Sequence, residues 1–390
     1  MDAAQALDGG EAAFALVNAR VLTEDGLRTG LAVVVRAGRI AALVGDDDPR
    51  LATLRRHDLA GRTLLPGFID SQCNGGGGVL FNAAPTVESL RVIAAAHRRF
   101  GTTGFVATLI TDTPEVMHAA ADAVAAALAE GVPGVLGLHL EGPFLHGARA
   151  GIHDGAKFRV PDPRDLALLM RPDLGVRMLT LAPERVAPGL IEQLTRAGVI
   201  VCAGHTAGDH ATTRAALDAG LRGFTHLFNA MTPMAAREPG VVGAALEDAR
   251  SWCGLIVDGH HVHPAVLRIA LAAKPRGKAM LVTDAMPPVG GERPDFMLDG
   301  RRIVCADGAC RDEAGTLAGS ALGMVDAVRN TVRLLGVPLD EAARMASRYP
   351  AEFLGLAATR GRIAVGLQAD FVELDEALVV RATWIGGTRA

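Results

Sequence analysis

The chain has 390 residues, with 39 basic and 43 acidic side chains, a formal net charge of −4, 49% hydrophobic residues and 4% aromatic ones. That near-neutral balance excludes a nucleic-acid binder working through a basic face, and the scarcity of aromatic rings argues against a surface for stacking bases or sugars. No run approaches the roughly eighteen apolar residues of a membrane span, so neither nucleic acid nor membrane is an expected partner.

The chain opens on acidic residues where a secretory signal would carry basic ones. A cytoplasmic setting is therefore expected. Five cysteines suggest no disulfide framework in a chain of this length. Cys305 and Cys310 have no second pair to complete a zinc site, and reduced thiols are expected throughout.

From the N-terminus, 14–21, 32–36 and 39–44 read as β-strands separated by turn residues such as Asp25-Gly26 and Ala37-Gly38. The last thirty residues repeat that style at 361–363, 369–374 and 378–385. Both ends therefore predict one small β-sandwich domain, built from 1–64 and 360–390.

The middle, 65–359, alternates strand and helix. Apolar, β-branched segments at 63–69, 103–110, 135–140, 176–181, 199–203, 223–228, 253–257 and 280–283 are separated in most cases by helical patterns. Those helices read as 87–100, 114–130, 190–197, 209–219 and 264–273. Eight strands with crossover helices predict an α/β protein whose body is a (β/α)₈ TIM barrel. Beyond the eighth strand, 286–318 is rich in Pro and Gly, with hairpin strands at 296–298 and 302–305. Helices at 324–335 and 340–347 then close the barrel.

Catalytic groups of such a barrel sit where its strands end, and five strands end in polar residues. Strand three runs into His139-Leu140-Glu141 and strand five into Gly204-His205-Thr206. Strand six carries Thr225-His226 through Asn229, strand seven ends Asp258-Gly259-His260-His261, and strand eight ends Thr283-Asp284-Ala285. One Glu and two His converging there would make a divalent-metal site with a position left for water. Asp284 would then serve as the carboxylate that accepts and returns a proton. The loop 144–157 carries His146, Arg149, His153 and Lys157, any of which could polarise a carbonyl or hold an anion. Arg237, in the loop after strand six, could bind phosphate.

Seven segments carry a resemblance: LPGFIDSQCNG (65–75), GLHLEGPF (137–144), AGHT (203–206), THLFNAM (225–231), DGHHV (258–262), VTDA (282–285) and LAGS (317–320). Through them the chain resembles the amidohydrolase superfamily and, within it, the N-acetylglucosamine-6-phosphate deacetylases. HLEGPF, THLFNAM and LAGS in this order are specific to those deacetylases, whereas LPGFID and the 361–370 pattern are shared across the superfamily.

The resemblance implies Glu141, His205 and His226 as ligands of one divalent ion per subunit, zinc in the first instance, with ferrous or another divalent ion as alternatives. It implies Asp284 as general base and acid, and His153 as the group polarising the acetyl carbonyl. Ile152, Asn229, Ala230, Arg237, His261, Leu317, Ala318 and Gly319 match positions that hold the substrate, a small amino-sugar phosphate. It also implies a homodimer, in which Arg237 reaches the neighbouring subunit's phosphate site.

One departure stands out. Many amidohydrolases carry H-x-H at the end of strand one, where a second metal binds. Here the triplet is Gln72-Cys73-Asn74, whose amides are poor ligands beside imidazole. A single metal is expected, with Gln72 and Asn74 near it and Cys73 turned away to pack. The rival readings are deacetylation of N-acetylgalactosamine 6-phosphate, another amidohydrolase substrate, and a catalytically silent sugar-phosphate sensor.

Overall fold

The computed structural model describes residues 13–390. The acidic stretch before residue 13, on which the reading of the N-terminus rests, lies outside them. Eight parallel strands form the central sheet: Phe68–Cys73, Thr102–Ile110, Val135–Glu141, Val176–Leu181, Ile200–Ala203, Gly223–Phe224, Trp252–Leu255 and Ala279–Leu281. Each pairs with the next in chain order, and a parallel bridge from Cys73 to Ala285 joins the last to the first. The molecule is thus the (β/α)₈ barrel expected from the strand–helix alternation. Its second strand is buried at all nine positions, because helices cover the outside while opposite walls fill the inside.

The helices follow from periodicity and caps. Val87–Arg98 buries Leu90, Ile93, Ala94 and His97 at helical spacing, and its N-cap Thr86 accepts from the Ser89 amide at 3.2 Å. Pro264–Ala273 and Met324–Leu335 fall where the pattern put them. Helix Gly240–Glu247 was not expected. Seven of its eight residues are buried, so it lacks the polar face that makes a helix visible in sequence. Short helices at Pro163–Leu169 and Arg348–Phe353 were also unread.

Two of the departures from the predicted strand limits have a local reason. The segment 63–69 is two strands. Thr63–Pro66 belongs to a second sheet, where it pairs antiparallel with Phe371–Leu374, while Phe68–Cys73 opens the barrel. Gly67 makes the join against Thr103, whose Oγ1 would lie 2.2 Å from any Cβ at that position. Strand six stops at Phe224 because the chain turns into left-handed backbone, with φ of 32° at His226 and 82° at Phe228.

The second sheet draws strands from both ends of the chain, from Phe14–Thr23 through Thr63–Pro66 and again from Phe371–Leu374 to Thr388–Arg389. Alternation gives it two apolar faces. Leu16, Val33 and Val35 pack with Phe371 and Trp384 on one; Ala15, Val17 and Val34 pack with Leu51 on the other. Arg344, 7% exposed, ties the closing helices to this sheet through the carbonyls of Thr23 and Glu24.

Beyond the eighth barrel strand a four-stranded meander forms from Asp295–Leu298, Arg301–Ala306, Ala309–Arg311 and Leu317–Ser320. The tight turn of its central hairpin sets Cys305 directly opposite Cys310, and the two form a disulfide. This corrects the expectation of five reduced thiols: cross-strand pairing brings together two residues that spacing alone left unrelated. Cys73, Cys202 and Cys253 are free and buried. Alkylation of denatured, unreduced protein is expected to label three cysteines, rising to five after reduction; five labels without reductant would refute the pairing, read by intact mass.

Candidate active site

Glu141 is the last residue of barrel strand three, and His205 and His226 follow strands five and six directly. The left-handed backbone at His205, with φ of 49°, and at His226 tips both rings toward the barrel axis. Such conformations cost on the order of 1–3 kcal/mol each and persist only where surrounding contacts impose them. Here the contacts are specific. Glu184 accepts from the Thr206 hydroxyl at 2.6 Å and the Ala207 amide at 2.7 Å, pinning the chain just past His205.

The three side chains meet at one point. Glu141 Oε1 lies 2.9 Å from His226 Nε2 and 3.2 Å from His205 Nε2, and the two ring nitrogens are 3.1 Å apart. His205 donates its Nδ1–H to the Arg149 carbonyl at 2.9 Å, so its Nε2 presents a lone pair. Two imidazole nitrogens and a carboxylate oxygen directed at a common point fit a divalent cation, with the carbonyl behind His205 orienting the ring. Burial disfavours charge on Glu141, yet the close His205 and His226 rings hold its pKa well below the carboxylate range. At His226 burial works against the charged ring, and the hydrogen bond and charge of Glu141 together with the charge of Asp284 outweigh it, raising the pKa.

Asp284 follows strand eight, also in left-handed backbone (φ 52°). Burial, then the charge of Glu141, push its pKa up. Gln72 and Asn74, expected near the metal site, both donate to this carboxylate. Asn74 Nδ2 donates to Asp284 Oδ1 at 2.7 Å; Gln72 Nε2 donates to the same oxygen at 3.1 Å and to Glu141 Oε2 at 3.2 Å. Asp284 Oδ2 accepts no hydrogen bond from any described residue. Cys73, between the two amides, turns away to His97, with Sγ 3.2 Å from Nε2. Asp70, near that pair, is already engaged by the Thr283 hydroxyl and the Gln72 amide.

His153 reaches the site from the loop after strand three, its Nε2 4.0 Å from Glu141 Oε1. Its pKa lies well below the usual histidine value, through burial and then the neighbouring His205. The Thr111 amide donates to its Nδ1 at 3.4 Å, with the Thr111 hydroxyl 2.8 Å away. A backbone N–H can only donate, so Nδ1 is the acceptor and Nε2 carries the proton into the site. Thr111 was not singled out from the sequence, although it directly follows strand two; a hydroxyl in that place is a readable signal.

Glu141, His153, His205, His226 and Asp284 line one cavity of about 340 Å³, whose walls include Ile152, Asn229, Ala230, His261, Leu317 and Gly319. Gly319 admits no side chain: its φ is 65° and a Cβ would lie 2.7 Å from the Asp284 carbonyl oxygen. His261 is held by Asp258, whose Oδ2 is 2.5 Å from His261 Nδ1, a positioning contact that the sequence reading left unassigned. Two expected substrate residues are not among those lining the cavity. Ala318 packs with Met286, Ile303 and Cys310, because alternation along Leu317–Ser320 turns it to the opposite face. Arg237 lies on an exposed loop outside the cavity of its own chain.

A sequence model of the Amidohydrolase family matches residues 63–390. The chain belongs to the amidohydrolase family. It is 45% identical over 370 residues to N-acetylgalactosamine-6-phosphate deacetylase of Shewanella sp. (strain ANA-3), covering 95% of this chain and 94% of that one. It is 40% identical to human N-acetylglucosamine-6-phosphate deacetylase, covering 90% of each. The crystal structure of N-acetylglucosamine-6-phosphate deacetylase from Pasteurella multocida superposes with a TM-score of 0.94 at 34% identity, covering 97% of this chain and 100% of that one.

Within this amidohydrolase, the Thr111–His153 contact fixes which ring nitrogen faces the cavity. Replacing Thr111 by Val removes the hydroxyl and retains the amide. We expect kcat to fall about tenfold, in the range of a lost buried hydrogen bond, with bound metal unchanged. Steady-state kinetics with elemental analysis checks it.

Proposed function

We propose that this amidohydrolase removes the acetyl group from N-acetyl-D-glucosamine 6-phosphate, giving D-glucosamine 6-phosphate and acetate. The observation that carries the reading is the placement of Asp284 beside the Glu141–His205–His226 cluster in a cavity also lined by Asn229, Ala230 and His261. The named deacetylases among its relatives support it. A divalent ion at Glu141, His205 and His226, which we assign as zinc, would polarise the acetyl carbonyl and lower the pKa of the attacking water.

The chain's own groups do the rest. Asp284 takes the proton of the attacking water on its free oxygen and delivers it to the departing amine, so that the amide C–N bond breaks as acetate forms. His153 donates from Nε2 to the oxygen on which charge develops. Gln72 and Asn74 hold the other Asp284 oxygen, keeping the carboxylate aimed. His261, Asn229 and Ala230 bind the sugar phosphate, and this remote binding positions the acetamide. Arg237, outside its own cavity, serves a second copy in a homodimer. The same reading places the enzyme in the cytoplasm.

N-Acetylgalactosamine 6-phosphate is the second reading, favoured by the Shewanella relative. Acetate release from both 6-phosphates and from both free sugars decides between them; equal rates with free N-acetylglucosamine would remove the phosphate roles. Asp284→Asn is expected to lower kcat by about 10²- to 10⁴-fold with metal content retained. Persisting turnover would refute the proton-transfer role.

A further inference from the structure

We propose that Arg149 grips the phosphate of the substrate from within the same chain, an inference that rests on the deacetylase reading and extends it. A phosphate monoester carries a charge of about −1.5 to −2 near neutral pH. Binding one in a cleft that also holds Glu141 and Asp284 calls for a permanent cation. Among the residues that line the cavity, Arg149 is the one arginine or lysine. Arg237 is exposed and outside it, and His261 is engaged by Asp258.

The arginine is held without being used. Its backbone is fixed to the metal-site residue His205 directly and through His146. The Arg149 carbonyl accepts from His205 Nδ1 at 2.9 Å, the Arg149 amide donates to the His146 carbonyl at 2.8 Å, and the His146 amide donates to the His205 carbonyl at 3.0 Å. Gly151, two residues on, packs so close that a Cβ would lie 3.2 Å from His205 Cε1. Yet the Arg149 guanidinium makes no hydrogen bond or ion pair with any described residue. Elsewhere in the chain Arg159 pairs with Asp165, and Arg171 with both Asp122 and Asp173.

A half-buried guanidinium in a cavity, on a pinned backbone and without a carboxylate partner, is pre-arranged for an anion. Its planar fork matches phosphate oxygens, and little backbone entropy remains to be lost on binding. The acetamide and the phosphate leave the sugar ring from different carbons, and the long arginine side chain separates its charge from the backbone that orients His205. A single chain then supplies its own phosphate cation, and Arg237 of a second copy would add to it.

Arg149→Gln keeps the carbonyl that orients His205 and removes only the charge. Metal-loaded wild type, Arg149→Gln and Arg149→Lys are compared on N-acetylglucosamine 6-phosphate and on free N-acetylglucosamine, with inorganic phosphate as inhibitor. Loss of a charge-assisted hydrogen bond predicts a KM for the phosphorylated sugar about 10- to 100-fold higher, with kcat changed far less. Preference for the phosphorylated over the free sugar should shrink by the same factor, phosphate should inhibit more weakly, and Lys should restore part of each. An unchanged KM and preference in Arg149→Gln would overturn the proposal, as would equal losses on both sugars accompanied by lower metal content. If the wild type itself ignores the phosphate, the deacetylase reading fails, which is a different outcome from a phosphate-dependent wild type with an indifferent Arg149.

Discussion

The structure depends on holding one carboxylate oxygen and two imidazole nitrogens within 3.2 Å of one another out of water. Placing Glu141, His205 and His226 in a buried site is costly unless each is hydrogen-bonded and their charges are balanced. The barrel meets that cost by rigidity. Strands three, five and six are locked in parallel register, and their ends converge because the sheet closes. Left-handed backbone at His205, His226 and Asp284 is strain concentrated at the site and held there by the packed walls.

Around that centre lies a set of groups whose work is to aim others. The Arg149 carbonyl and Glu184 fix His205, Thr111 fixes His153, Asp258 fixes His261, and Gln72 with Asn74 fixes Asp284. The last pair stands where many amidohydrolases have histidines. An amide N–H can donate to a carboxylate, while an amide is a poor substitute for imidazole as a metal ligand. In this chain the two amides donate to the Asp284 carboxylate, and Cys73 between them faces His97 because alternation turns it from the cavity.

Much of this was legible in the chain. Apolar β-branched segments punctuated by amphipathic helices gave the barrel, and polar residues at the ends of five strands marked its catalytic mouth. The segments that failed did so for stated causes. The run 63–69 is uninterrupted in hydrophobicity, so its division at Gly67 between two sheets left no periodic trace. Helix Gly240–Glu247 is buried almost all round. Cys305 and Cys310 are made partners by strand register alone. Ala318 belongs to a recognisable motif, yet its alternation within a strand carries it away from the cavity that Leu317 and Gly319 line.

By itself the sequence determined which chemical groups are available and at which strand ends they fall, because apolar periodicity sets the strands and the strands set where polar residues emerge. Only the tertiary structure decided which of those groups meet. The tautomer of His153, the free oxygen of Asp284, the unpartnered guanidinium of Arg149 and the exclusion of Arg237 from its own cavity all depend on contacts between residues far apart in the chain. Spacing along a strand carries no information about them; closure of the barrel and the packing of its loops does.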